Sequence, residues 1–191
     1  ESELYPIKIN AVLIELVKLA IDSLTRQPLL ERIQRGELTV EQWMRFAEQR
    51  YLSSLSFEGL LRAGIAKAEN SGNAEIRSVL QENLKDELGI VEGDIQDPER
   101  SHATWRIHFY NALGLDQERL SKATPLSGTR AYVITIDNLI RHGSLGEVVG
   151  ALFVLEGSIP TEFKRMKDGR DKTFKDVFSD QSTDSNEIRR I

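Results

Sequence analysis

Signals that begin and end helices occur along almost the whole chain, and no segment shows the apolar alternation of a half-buried strand. The segments TVEQ (39–42) and SLGE (144–147) are capping boxes, which open helices. Gly89, Gly114 and Gly143 each follow an apolar helical pattern, where helices commonly end. We predict helices at 9–24, 28–35, 39–69, 74–88, 101–113, 127–142 and from 144 past Pro160. The pattern indicates an all-α domain of about seven helices.

Composition excludes several kinds of site and partner. The 191 residues suit one domain, which we expect to span 1–191, with a loop or disordered segment at 179–187, SDQSTDSNE. The absence of cysteine excludes disulfides and thiolate metal sites, and the net charge of −5 disfavours a nucleic-acid partner. No stretch reaches the roughly 18 apolar residues of a membrane span. We therefore expect a cytoplasmic protein without a nucleic-acid or membrane partner.

Three predicted helices carry a glutamate on a face that is otherwise apolar. These residues are Glu58, Glu87 and Glu156, and His102 shares a helical face with Trp105. A lone buried carboxylate is costly unless it is paired, protonated or bound to a metal. For any one residue the alternative is a buried ion pair, with Arg62, Arg106 or Arg130. Carboxylates and an imidazole that converge inside a helical bundle are instead typical of iron or manganese sites.

Three segments resemble a known family. They are ENLKDELG (82–89), SHATWRIHFYNALGLD (101–116) and GALFVLEGSIPTEFKRM (150–166). They resemble the haem-oxygenase-like di-iron proteins, most closely the CADD-like members, named after the chlamydial death-domain-associating protein. TenA and PqqC resemble the chain more distantly. The resemblance implies a compact helical bundle, a homodimer, and two non-haem iron ions or iron with manganese.

The resemblance also implies the metal ligands. It assigns Glu87, His102 and Glu156 to the metals and offers Glu58 as an additional carboxylate. Because the loop before His102 is longer than in relatives, the first ligand could instead be Glu92 or Asp94. Tyr51 is a core residue in the apolar pattern, and the family likeness permits a redox role for it.

The chain departs from the family at its C-terminus. The family has a His-x-x-x-Asp-x-x-His motif on its last core helix, but the three histidines here are His102, His108 and His142. The same spacing occurs in acidic form at Asp180, Asp184 and Glu187, within the predicted loop. We therefore expect the chain to stop before that helix or to omit it. His108 is expected at the surface and His142 at a helix C-terminus.

The resemblance leads to three functional hypotheses. The first is a di-iron redox enzyme that activates dioxygen and oxidises a small organic molecule or, in the CADD manner, one of its own side chains. The second is a metal-independent protein, similar to TenA or PqqC, that binds a small molecule or acts in cofactor biosynthesis. The third is a non-catalytic protein-interaction module.

Overall fold

The computed structural model describes residues 4–91 and 95–174, with side chains from Leu13 onward. The described residues form nine α-helices, α1 to α9, at Leu4–Thr25, Pro28–Arg35, Val40–Ser54, Phe57–Asn70, Ala74–Leu88, His102–Ala112, Gln117–Ser121, Ser127–His142 and Leu145–Thr173. Two short strands, β1 (Ile90–Val91) and β2 (Ile95–Gln96), pair antiparallel before a 3-10 turn at Pro98–Arg100. The all-α prediction is confirmed. None of the described helices is long and apolar enough to cross a membrane.

Two differences explain why the described helices outnumber the predicted ones. The helix predicted at 39–69 ends at Ser54, and α4 begins at Phe57. The hydroxyls of Ser53 and Ser54 donate to the carbonyls of Arg50 and Tyr51, at 3.0 and 2.8 Å. Such bonds compete with the helical ladder, so a serine-rich turn is a weak point in a helix. The second difference is the short helix α7, which was not predicted although Asp116 caps its start.

Contacts divide the described residues into two units. The terminal unit comprises residues 4–38 and 150–174, and the central unit comprises 39–91 and 95–149. Helix α9 begins in the central unit and continues in the terminal one, and it passes through Pro160 as predicted. The single domain expected over 1–191 stays a prediction, and the segment 179–187 lies outside the described residues.

In the central unit, α4 packs against α5 and α8, and α6 packs against α3 and α5. Its aromatic core is centred on Tyr110, Leu115 and Leu120, which are almost fully buried against Ala47 of α3. The capping box at Thr39 is formed as predicted, with Gln42, so α3 starts where the sequence indicates. This packing fixes α3, α5 and α6, which carry the polar residues described below.

In the terminal unit, α2 lies against the last turns of α9. Lys172 donates from Nζ to the carbonyl of Gln34 at 2.7 Å, and the side chain of Gln34 also donates to Asp168. A Cβ atom on Gly169 would overlap the carbonyl of Ile33, which is fully buried. The two helices therefore approach so closely that only glycine fits at this crossing.

Candidate functional site

The end of α5 and the start of α6 place Glu87 beside His102. Gly89 ends α5 in the left-handed conformation, with φ of 68°, and its N–H caps the last turn. A side chain there would overlap the carbonyl of Asp97, so this position also requires glycine. The chain then returns through β1 and β2, and Ser101 caps α6 by accepting from the N–H of Thr104. Although 15 residues apart, Glu87 and His102 thus come into contact.

Glu87 is held by two cationic groups at once. Its Oε1 lies 2.6 Å from Nδ1 of His102, and its Oε2 accepts from Nη2 of Arg106 at 3.0 Å. The glutamate side chain is only 10% exposed, whereas that of His102 is 41% exposed. The inward position predicted for Glu87 is confirmed. Glu87 also forms an ion pair with Arg106, which the sequence analysis gave as an alternative to metal binding. Both partners offset the cost of burying this carboxylate.

The two groups shift each other's pKa. Burial alone would raise the pKa of Glu87, but the hydrogen bond from His102 and the positive charge of Arg106 outweigh it, so that pKa is lowered. The hydrogen bond to Glu87 raises the pKa of His102 although partial burial opposes this. The ionised pair is therefore favoured, with the Nδ1–H of His102 donating to the carboxylate. The ring of Trp105 lies beside His102, with centroids 5.2 Å apart.

Glu58 does not point inward, and that prediction is wrong. Its side chain is 49% exposed and accepts from Nε of Arg62 one turn along α4, at 2.8 Å. The buried face of α4 is formed by Leu60, Leu61, Gly64 and Ala68, and Glu58 lies about 100° around the helix from the centre of that face. Tyr51 lies as predicted against the aromatic core, with its ring edge-on to that of Tyr110 at 5.9 Å.

Glu156 lies on α9 in the terminal unit and is half-buried. The face predicted for it is only partly right, because Leu152 is buried at 3% exposure but Phe153 is 66% exposed. These two neighbours lie about 100° apart around the helix, so only the side that carries Leu152 is buried. His108 is exposed on α6, and His142 is exposed in the last turn of α8, as predicted.

Several candidate ligands fall outside the described residues. These are Glu92, Asp94, Asp180, Asp184 and Glu187. Considering each unit separately, no three or more described His, Asp or Glu side chains form a group that could hold a metal. The contact between Glu87 and His102 is thus the part of the predicted ligand set that the described residues bring together.

Comparison with known proteins identifies the family. A family model described as "Iron-containing redox enzyme" matches residues 44–177, which include both Glu87 and His102. The chain belongs to this family of iron-containing redox enzymes. The resemblance to haem-oxygenase-like proteins, and with it the haem-oxygenase-like all-α class, is confirmed. No solved structure matches the chain.

Two chlamydial relatives of this family member carry the name 4-aminobenzoate synthase. The protein from Chlamydia muridarum (strain MoPn / Nigg) is 30% identical over 133 residues, which are 70% of this chain and 52% of the relative. The protein from Chlamydia trachomatis serovar D (strain ATCC VR-885 / DSM 19411 / UW-3/Cx) is 31% identical over 126 residues, which are 66% of this chain and 50% of the relative. The chain therefore spans about half the length of the relatives it matches.

Glu87 and His102 carry the types of ligand atom that the family's metal, iron, accepts. Carboxylate oxygen and imidazole nitrogen are both ligands that iron accepts in proteins. His102 uses Nδ1 for Glu87, and no hydrogen bond of its Nε2 occurs among the described residues. A metal-bound imidazole typically donates its other N–H to a carboxylate in this way. The geometry therefore suits His102 as a ligand through Nε2, with Glu87 orienting the ring from Nδ1.

Sequence reasoning missed one buried acid, Glu48. It is 7% exposed on α3, beside Ala47 of the core, and it pairs with Arg45 and Arg119. Arg119 lies 71 residues away, so no local spacing links the two. The only signal in the sequence is Arg45, which lies on the preceding turn of the same helix.

Proposed function

We propose that the protein is a non-haem iron enzyme that uses dioxygen to oxidise a small organic molecule or one of its own side chains. The observation that carries the proposal is the contact of 2.6 Å between the Glu87 carboxylate and the His102 imidazole. These two donors meet inside a stretch that belongs to a family of iron-containing redox enzymes. The proposal includes two iron ions, or iron with manganese, as in carboxylate-bridged sites of helical bundles.

In this proposal, His102 binds the metal through Nε2, Glu87 orients its ring, and Glu156 is the further ligand that the family likeness implies. Iron, when bound, supplies electron exchange with dioxygen, which protein side chains alone do poorly. The chain's own residues prepare the site. On metal binding, His102 would release the proton on Nε2 and keep the one on Nδ1 that Glu87 accepts, and Arg106 holds the carboxylate in place. Glu58 is left out because its carboxylate is exposed and already paired with Arg62.

The names of the relatives suggest the product of the reaction. Both chlamydial proteins are called 4-aminobenzoate synthase. We extend this to the present chain as the proposal that it acts in making 4-aminobenzoate. Incubation of the iron-loaded protein with dioxygen and a reductant should release 4-aminobenzoate, detectable by mass spectrometry. Release of product with a matching loss of mass from the protein would identify a side chain as the source, and no product would indicate that a free substrate has to be added.

Metal analysis tests the core of the proposal. We expect protein loaded anaerobically with Fe(II) to retain about two iron ions per chain. His102→Ala, Glu87→Ala and Glu156→Ala should each lower the iron content, because each removes a ligand or, for Glu87, the group that orients one. His108→Ala is the matched control, since His108 is an exposed histidine on the same helix as His102. Wild-type protein without iron, or variants that retain all of it, would contradict the proposal.

A metal-independent activity is the second candidate. The observation in its favour is that both oxygens of Glu87 already have partners, His102 and Arg106. A carboxylate–imidazole pair of this kind can act as a general acid and base. Turnover that survives complete removal of metal by a chelator, and that is lost in His102→Ala, would favour this alternative over iron chemistry.

A further inference from the structure

A polar cleft lies between α3 and α7 of the central unit, and none of the residues assigned to iron lines it. It is open to solvent and has a volume of about 400 Å³, enough for a small organic ligand. Its lining includes Arg45 and Glu48 of α3 and Arg119 and Lys122 of the α7 segment. Its lining combines cationic and anionic side chains, so the chemistry of the cleft depends on which of them already have partners.

Glu48 holds two guanidinium groups in place. Nη1 of Arg45 donates to Oε2, and Nε of Arg119 donates to Oε1, each at 3.1 Å. The glutamate side chain is only 9% exposed, whereas both arginine side chains are 48% exposed. The buried carboxylate therefore positions two arginine heads whose other N–H groups remain accessible. This group of three residues carries a net charge of +1.

The wall of the cleft is fixed as well. Gln49, the neighbour of Glu48 on α3, accepts from the N–H of Leu126 at 2.8 Å and donates to the carbonyl of Thr124 at 3.2 Å. These two bonds tie the segment after α7 to α3. Because the arginines and the wall are ordered before any ligand arrives, binding loses little conformational entropy.

Hydrogen-bonding capacity in the cleft favours an anion. Glu48 uses both oxygens, Asp116 caps α7 by accepting from the N–H of Arg119, and Glu118 accepts from Nζ of Lys122 at 2.5 Å. Each carboxylate thus has a partner. A guanidinium has five N–H groups, and Arg45 and Arg119 each spend one on Glu48. The remaining N–H groups of the two arginines can therefore be matched by a ligand that accepts hydrogen bonds, such as a carboxylate.

We propose that this cleft binds the carboxylate group of a small organic acid, held by Arg45 and Arg119. Two arginine heads match the two oxygens of a carboxylate. The charged side chains that line the cleft, three cationic and three anionic, sum to zero, so the cleft suits a monoanion better than a dianionic phosphate. The binding needs no metal, so it can be tested independently of the proposed iron chemistry.

The test is titration of metal-free protein followed by NMR of the arginine Nε–H signals, at constant ionic strength. The probes are sodium benzoate, sodium acetate and sodium phosphate. We expect saturable shifts of Arg45 and Arg119 with both carboxylates, and weaker effects with phosphate. Arg45→Gln should weaken benzoate binding about tenfold or more, since it removes a charge-assisted hydrogen-bonding partner. Arg45→Lys, which keeps the charge but loses the planar fork, should fall in between.

Arg62→Gln is the matched control, because Arg62 is an arginine of similar exposure that pairs with a glutamate on its own helix. It should leave benzoate binding unchanged. Shifts that drift without saturating would overturn the proposal. So would tighter binding of phosphate than of benzoate, or undiminished benzoate binding by Arg45→Gln and Arg45→Lys.

Discussion

At the scale of single residues, the bond between Glu87 and His102 should make stability depend on pH in two directions. The pKa of Glu87 is lowered, so its contribution is complete above the unfolded value of about 4.3 and disappears as pH falls through the folded value. The pKa of His102 is raised, so its contribution is complete below about 6.5 and disappears as pH rises through the folded value. The coupling should therefore be largest between about pH 4.5 and 6.5.

A double-mutant cycle measures this coupling. Urea unfolding of metal-free wild type, Glu87→Gln, His102→Gln and the double variant, repeated from acid to alkaline pH, gives the interaction energy at each pH. We expect that energy to rise and fall around the stated window. An interaction energy that is flat across the titration would show that the pair is not ionised in the folded protein.

Glu48 gives the second prediction at this scale. Glu48→Gln should lower the free energy of unfolding by about 1–3 kcal/mol, because two arginines lose their charged partner. The half-exposed arginines can rehydrate, which keeps the loss below that of a fully buried pair. Glu118→Gln breaks a pair between two highly exposed side chains and should have little effect. Equal losses for both variants, measured by urea unfolding, would argue against a special role for Glu48.

At the scale of secondary-structure elements, the crossing of α2 and α9 should tolerate no side chain at Gly169. Gly169→Ala would push its Cβ into the carbonyl of Ile33 and should destabilise the protein by about 1–3 kcal/mol. Gly150→Ala, in the same helix, has no described atom near the new methyl group and should stabilise by up to about 1 kcal/mol. Thermal unfolding of both variants checks the sign, and a neutral Gly169→Ala would mean that the helices separate easily.

Elements with local signals were predictable, and those set by distant contacts were not. The capping box at Thr39 and the glycine stop at Gly89 act within one helical turn, so their sequence patterns are sufficient. The break after Ser54 depends on a balance between helix propensity and serine back-bonding, and no pattern in the predicted helix decides it. Helix α7 is held by Leu120 in a core that the chain assembles from separate segments.

At the scale of the whole molecule, metal binding should appear as added stability. A ligand that binds only the folded state raises the unfolding temperature, by roughly 5–10 °C at a hundredfold excess over Kd for a chain of this size. We expect this with anaerobic Fe(II) and not with Mg²⁺, which prefers oxygen ligands and water to imidazole. His102→Ala should lose most of the Fe(II) effect. An equal shift with Mg²⁺ would indicate nonspecific binding to carboxylates.

The direction of a candidate side chain was predictable from the sequence only where its position on a helical face determines it. Glu87 points inward because it continues the apolar stripe of α5, and the structure places it against His102. Glu58 was misassigned because it lies beside the buried face of α4 and not on it, a difference that the sequence pattern alone does not resolve. Glu48 could not be recognised, since its second partner, Arg119, lies far along the chain and only the folded core brings them together.

The antiparallel pairing of β1 and β2 has a consequence for the evolution and engineering of the chain. Val91 and Ile95 lie opposite each other, so the segment between them begins and ends at one place. Residues can be gained or lost there without changing the separation of Glu87 and His102, and loop closure becomes only slowly less favourable as the segment grows. The length of the loop can therefore change without moving Glu87 or His102. We expect a peptide tag inserted there to leave the carboxylate–imidazole contact intact.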